Sequence, residues 1–241
     1  THAVFNNAMK QAVRWRLVNS NPCDHVDLPQ LKRKEMKALD RDQAGRFLAA
    51  AKESEFYALF ALLLTTGMRP GEAIALRWCD IDLASGAVSI TRALSGRSGD
   101  YRFEEPKTPK SRRTLPIPLS VTDSLRTLKS ARQKAADGVL IDLQLVFVSS
   151  NGSLIDLQNL NKRHFKPILK AASLSPEIRL YDLRHSCATL LLQAGTHVKV
   201  VSERLGHASA MLTLDRYSHV VPGLQESATE KLESMLFGEH G

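Results

Sequence analysis

Two arginines stand where this sequence enters helices. In Thr65-Thr66-Gly67-Met68-Arg69-Pro70-Gly71-Glu72 an apolar stretch ends at a Gly, and Arg69 immediately precedes a Pro suited to a first helical turn. A guanidinium there presents a planar fork of donors, and helix-start N–H groups add positive potential, a setting that suits a phosphate. A surface ion pair between Arg69 and Glu72 accounts for the same residues. In Tyr181-Asp182-Leu183-Arg184-His185, positions 181 and 184 are three apart at the start of a helical pattern, so both can face one site. A structural role for Arg184 is the competing reading. The third group is Leu205-Gly206-His207, followed ten residues on by Tyr217-Ser218-His219. Taken singly, His207 or Tyr217 reads as a satisfied core or surface residue.

The elements that must position these groups are mostly helical. Apolar spacing predicts helices over about 2–18, 55–65, 119–136, 156–171, 182–194, 197–205, 209–216 and 224–237, with a further one beginning near Pro70. Asp40-x-x-Gln43 reads as a capping box opening another, with Ala44, Phe47, Leu48 and Ala51 turned inward. Between residues 78 and 117 the period changes. Trp78–Leu83, Ala87–Ala93, Tyr101–Glu104 and Arg113–Ile117 are β-rich and separated by turn residues, which predicts one small antiparallel sheet, and a short strand is expected at Leu145–Ser149. The fold class is therefore mainly α with a small antiparallel sheet. Residues 1–20 read as the last helix of a truncated N-terminal module and 21–38 as a basic interdomain linker. Residues 39–222 form the main domain and 223–241 a tail helix.

Composition narrows the function classes. With 43% hydrophobic and 24% charged residues among 241, the chain is neither disordered nor fibrous. Its longest apolar run, Phe56–Leu64, is too short for a bilayer, which needs about 20 apolar residues. The residues after Thr1 do not form a signal peptide. Three cysteines without metal-ligand spacing argue against a disulfide framework or zinc ribbon and for a reducing cytoplasm. Neither a metal nor any other cofactor is expected. His185, His197, His207 and His219 lack a helical i, i+4 pairing with a carboxylate. Thirty-three Lys+Arg against 25 Asp+Glu leave a net +8, which points to a polyanionic partner.

Arginines, a lysine hairpin, a His and a Tyr in this order resemble the catalytic domain of the tyrosine recombinases, the phage and transposon integrase family. The matching segments are TTGMRPGEAIALRWCDID, EEPKTPKSRRTLPIPL, RLYDLRHSCATLLLQAG and VVSERLGHASAMLTLDRYSHV. Residues 1–18 are similar to the last helix of that family's core-binding domain. The resemblance implies a site-specific recombinase that cleaves and rejoins double-stranded DNA at recombination sites, integrating or excising a mobile element. Arg69 and Arg184 would clamp the scissile phosphate. Tyr217 would attack phosphorus to leave a 3′-phosphotyrosyl enzyme. Lys107, with Lys110 as the fallback, would protonate the departing 5′-oxygen. His207 would hydrogen-bond the phosphate or the phenol, and Glu72 would orient Arg69. The family usually carries His where this chain has Tyr181. A Tyr with an ordinary pKa near 10 is a poor base at neutral pH and reads better as a hydrogen-bond donor.

The acidic amphipathic helix over Gly223–Phe237 suits a groove on another subunit, as in the family's cyclic tetramers, or folds back on its own domain. Accessory DNA-bending or directionality proteins are further partners the resemblance implies. Two alternatives use the same residues: a type IB topoisomerase, and a DNA-binding protein of this fold without chemistry. The charge excess is localised. Residues 1–37 and 92–113 each hold seven Lys+Arg against three Asp+Glu, and the remainder balances. Lys32, Arg33 and Lys34 on the linker, with Arg112 and Arg113 on the sheet, are therefore expected to meet the duplex backbone.

Overall fold

A computed structural model describes residues 2–27, 37–96, 100–105, 111–135, 144–207, 209–217 and 224–238. The chain divides into two units, residues 1–35 and 36–241. In the first, α1 (His2–Arg14) stops short of the expected residue 18 because Arg16 takes a positive φ of 58°, a conformation helices do not continue through. None of its residues is buried, and Val4, Phe5 and Trp15 are exposed. A short 3₁₀ turn, Pro22–His25, follows, capped by Asn21, whose side chain accepts from the Cys23 N–H.

In the second unit, α2 (Arg41–Ala51) opens with the capping box expected from Asp40 and Gln43. The Gln43 N–H donates to Asp40 at 2.8 Å, and the Asp40 N–H donates to the Gln43 side chain at 3.1 Å. Almost every residue of α3 (Tyr57–Thr66) is buried, which explains its unbroken apolar run. Phe47, Phe60 and the later Phe165 meet in ring contacts 5.6–5.9 Å apart, edge-on from Phe47 to the other two and tilted between Phe60 and Phe165, that join α2, α3 and the helical segment around residue 165. The short α4 (Pro70–Ile74) then leads through a 3₁₀ turn into the strands.

The β region forms two sheets where one was expected. Strands β1 (Ile81–Asp82), β2 (Ala87–Ile90) and β5 (Arg113–Pro116) make a three-stranded antiparallel sheet in the order β1-β2-β5. Strands β3 (Ala93–Ser95) and β4 (Arg102–Glu104) pair separately. The break falls at Thr91-Arg92. Arg92 turns aside to donate to the Ala75 carbonyl at 2.8 Å and lies 4.2 Å over the Phe103 ring. The strand expected at Leu145–Ser149 is reduced to an isolated bridge between Arg77 and Leu145. The run is apolar because Val146 and Phe147 fill the core, and a buried run of this length does not distinguish strand from loop.

The remaining helices are α5 (Leu119–Ala135), α6 (Leu157–Asn159), a π-helical segment Leu160–Phe165, α7 (Lys166–Ala171), α8 (Asp182–Gln193), α9 (Val198–Leu205), α10 (Ala210–Tyr217) and α11 (Leu224–Phe237). Mainly α with small antiparallel sheets is thus the observed class. Helix α8 packs on α3 and α9, and α9 packs on α10, so the segments bearing Arg69, Arg184, His207 and Tyr217 are stacked on one another. Among the described residues no helix is long and apolar enough to cross a membrane.

Candidate active site

Helix α3 ends at Gly67 in the left-handed conformation, φ 66°. A Cβ there would lie 2.6 Å from Leu205 and 3.2 Å from the Cys187 sulfur, so only Gly lets the α3 end close onto α8 and α9. Two residues on, Arg69 donates from Nη1 to Glu72 Oε1 at 2.7 Å, while its backbone N–H donates to Glu72 Oε2 at 2.8 Å. The pair exists, but it is no surface bridge. The Arg69 side chain is 39% exposed and that of Glu72 only 4%.

Burial works against charge on Glu72, yet the cations of Arg113 and Arg69 outweigh it and hold the carboxyl below its ordinary range. Burial likewise opposes charge on Arg69, but Glu72 and Tyr181 more than offset it. A carboxylate whose folded pKa is lowered adds stability above its ordinary value of 4.5, and loses it as pH falls below that through the native value. Wild-type protein should therefore lose melting temperature more steeply than Glu72→Gln below pH 4.5. Parallel melting profiles would contradict this assignment.

Arg184, in the first turn of α8, is 1% exposed. It donates to the carbonyls of Gly67 and Leu205, both at 2.7 Å, and so ties the end of α3 to the end of α9. Burial and then the neighbouring charge of Arg69 push its pKa down to about 10. Two guanidiniums close enough to repel, one of them desolvated, form a local excess of positive potential in want of an anion. Tyr181 lines the same 540 Å³ cleft as Arg69 and Glu72, and its ring lies edge-on to His185 at 5.4 Å.

Helix α9 ends at Gly206, again left-handed at φ 65°, and this turn delivers His207, whose Nδ1 lies 2.8 Å from the Thr213 hydroxyl. The Tyr217 ring, 2% exposed, packs with Ala188, Leu192, Val201 and Leu205. Its hydroxyl lies 2.7 Å from Nδ1 of His185, a residue to which the sequence assigned no firm role. The available signal was spacing, since His185 is one turn beyond Tyr181 on α8.

Of the residues expected to meet a duplex, Arg112 is 57% exposed and pairs with Glu105. Arg113 departs from that expectation: its side chain is 7% exposed and engaged by Glu72 and the Arg204 carbonyl. The reason is alternation along β5, where successive side chains face opposite ways. Lys32, Arg33, Lys34, Lys107 and Lys110 lie outside the described residues. No group of three or more His, Cys, Asp or Glu side chains that could hold a metal occurs among the described residues.

A fold with two arginines, a His and a Tyr brought together in this way defines a class. Residues 37–222 match the phage integrase family, and the chain belongs to it. It is 30% identical over 231 residues to the ICEBs1 integrase of Bacillus subtilis, covering 93% of this chain and 62% of that protein. It is also 30% identical over 260 residues to a XerC-like tyrosine recombinase of Caldanaerobacter subterraneus, covering 98% of this chain and 66% of the relative. The chain thus spans somewhat less than two thirds of these relatives. Among solved structures, the Tn1549 transposon integrase bound to a circular intermediate DNA matches with TM-score 0.79 at 22% identity, covering 94% of this chain and 76% of that one. A lambda integrase dimer bound to a core site matches with TM-score 0.63 at 18% identity, covering 89% and 57%. At these identities the structural matches speak for the fold.

Proposed function

We propose that this chain is the catalytic portion of a site-specific DNA recombinase that breaks and rejoins strands through a 3′-phosphotyrosyl intermediate. The observation that carries the reading is the convergence of a desolvated Arg184, a half-exposed Arg69, His207 and Tyr217 on the stacked ends of α3, α8, α9 and α10. Arg69 and Arg184 take the non-bridging oxygens of the scissile phosphate and offset charge as phosphorus becomes pentacoordinate. Tyr217 Oη gives its proton to solvent water as it attacks phosphorus, the bond to the 5′-oxygen breaks, and Lys107 protonates the leaving oxygen. The ester stored on Tyr217 keeps the energy of the phosphodiester, so rejoining needs no ATP. Tyr181 serves as a hydrogen-bond donor beside Arg69, and His207 as a donor to the phosphate. A phenol as buried as that of Tyr217 reaches a duplex only once its contact with His185 opens.

Double-stranded recombination sites are the substrate, with Lys32, Arg33, Lys34 and Arg112 on the phosphate backbone. On α11 the exposed Leu232, Met235, Leu236 and Phe237 form an apolar surface that suits another copy of the chain, in keeping with a tetramer on DNA. The test uses a library of nicked duplexes with randomised half-sites, trapped as detergent-stable protein–DNA adducts. Recombinase chemistry predicts adducts enriched in one sequence that release DNA joined to an added 5′-hydroxyl strand. Absence of adducts from the whole library would refute it, and plasmid relaxation without joining of paired sites would favour a topoisomerase.

A further inference from the structure

Arg113 emerges from β5 in the basic stretch expected to lie against DNA, yet all its hydrogen bonds go inward. Nη2 donates to Glu72 Oε2 at 3.0 Å and Nη1 more weakly to Oε1 at 3.4 Å. Nη1 also donates to the Ser111 carbonyl at 3.1 Å, and Nε to the Arg204 carbonyl in the last turn of α9 at 2.7 Å. The same two Glu72 oxygens hold Arg69, so one buried carboxylate bridges two arginines. On its other side the guanidinium packs so closely on Gly206 that a Cβ there would come within 2.9 Å of Nη1. Gly206 is the residue that delivers His207. The Arg113–Glu72 pair therefore joins a residue lining the Arg69 cleft to one lining a second cleft, of 470 Å³, beside His207.

We infer that Arg113 is a positioning residue of the cleavage reaction, holding Glu72 and thereby Arg69 in register with the turn that carries His207. The inference rests on the recombinase reading. A role on the DNA backbone would require Arg113 to abandon four acceptors and leave a buried carboxylate with half its counter-charge, which is strongly unfavourable. Lysine substitutes only in part, because one ammonium does not span a carboxylate and an opposed carbonyl as the fork does.

The test compares Arg113→Ala, Arg113→Lys and Arg69→Ala in single-turnover cleavage of two substrates. One carries the ordinary scissile phosphate and the other a methylphosphonate, which lacks the negative charge that Arg69 neutralises. Arg113→Ala should bind duplex with unchanged affinity and salt dependence, yet cleave the phosphodiester about 100-fold more slowly. That defect should shrink on the methylphosphonate, in parallel with Arg69→Ala, and Arg113→Lys should fall between Ala and wild type. Equal loss on both substrates would reduce Arg113 to a structural role and overturn the inference. Weaker binding with a flatter salt dependence, and normal cleavage of bound DNA, would return it to the backbone contacts and overturn it too. Where Arg113→Ala does not fold, Arg113→Lys carries the same comparison. No adduct from wild type on either substrate would instead refute the recombinase reading itself.

Discussion

Tyr217→Phe is expected to abolish the covalent protein–DNA adduct while leaving duplex binding intact. The substitution removes one oxygen, the atom that would bond to phosphorus, and nothing else in the described structure can replace it at the end of α10. Its structural cost is the 2.7 Å hydrogen bond to His185, worth about 1–3 kcal/mol where a buried partner is left wanting. The ring itself stays packed against α8 and α9, so the variant should still fold and melt about 2–12 °C below wild type. A denaturing gel, a binding isotherm and a thermal melt read the three quantities separately. Adduct formation by Tyr217→Phe would remove Tyr217 from the chemistry altogether.

The arginine replacements should separate in a way their burial dictates. Arg69→Lys keeps charge but loses the fork, and should slow cleavage about 100-fold or more with little change in stability, since its side chain is 39% exposed. Arg184→Lys should slow cleavage at least as much and also lower the melting temperature. Its guanidinium uses two separate donors to tie the Gly67 carbonyl to that of Leu205, and an ammonium at 1% exposure cannot make both contacts in the same geometry. Single-turnover rates and melting curves distinguish the two sites. An Arg184→Lys protein that melts and cleaves like wild type would contradict the account of both arginines.

Much of this was legible before any coordinates, and what was not has physical causes. Periodicity located helices such as α2 and α9, which bury one face, and the Asp40–Gln43 box was readable because capping is local chemistry. The short strand at Leu145–Ser149 misled because a wholly buried apolar run carries no period. The split of the β region at Arg92 depends on a contact with the distant Ala75 carbonyl, to which spacing is blind. At the site, order and residue type pointed to Arg69, Arg184, His207 and Tyr217, but composition alone assigned Arg113 to the DNA surface. Only the register of β5 shows it facing Glu72. The imidazole of His185 at the Tyr217 hydroxyl was hidden for the same reason, since it depends on how α10 returns to α8.

The central claim, that Tyr217 forms the bond to DNA, is tested most directly by mapping the trapped adduct. After nuclease treatment and trypsin, the nucleotide should be found by mass spectrometry on the peptide spanning residues 217–231, where Tyr217 is the sole tyrosine. A nucleotide carried instead by Tyr57, Tyr101 or Tyr181, or by no tyrosine in an adduct that survives denaturation, would contradict it.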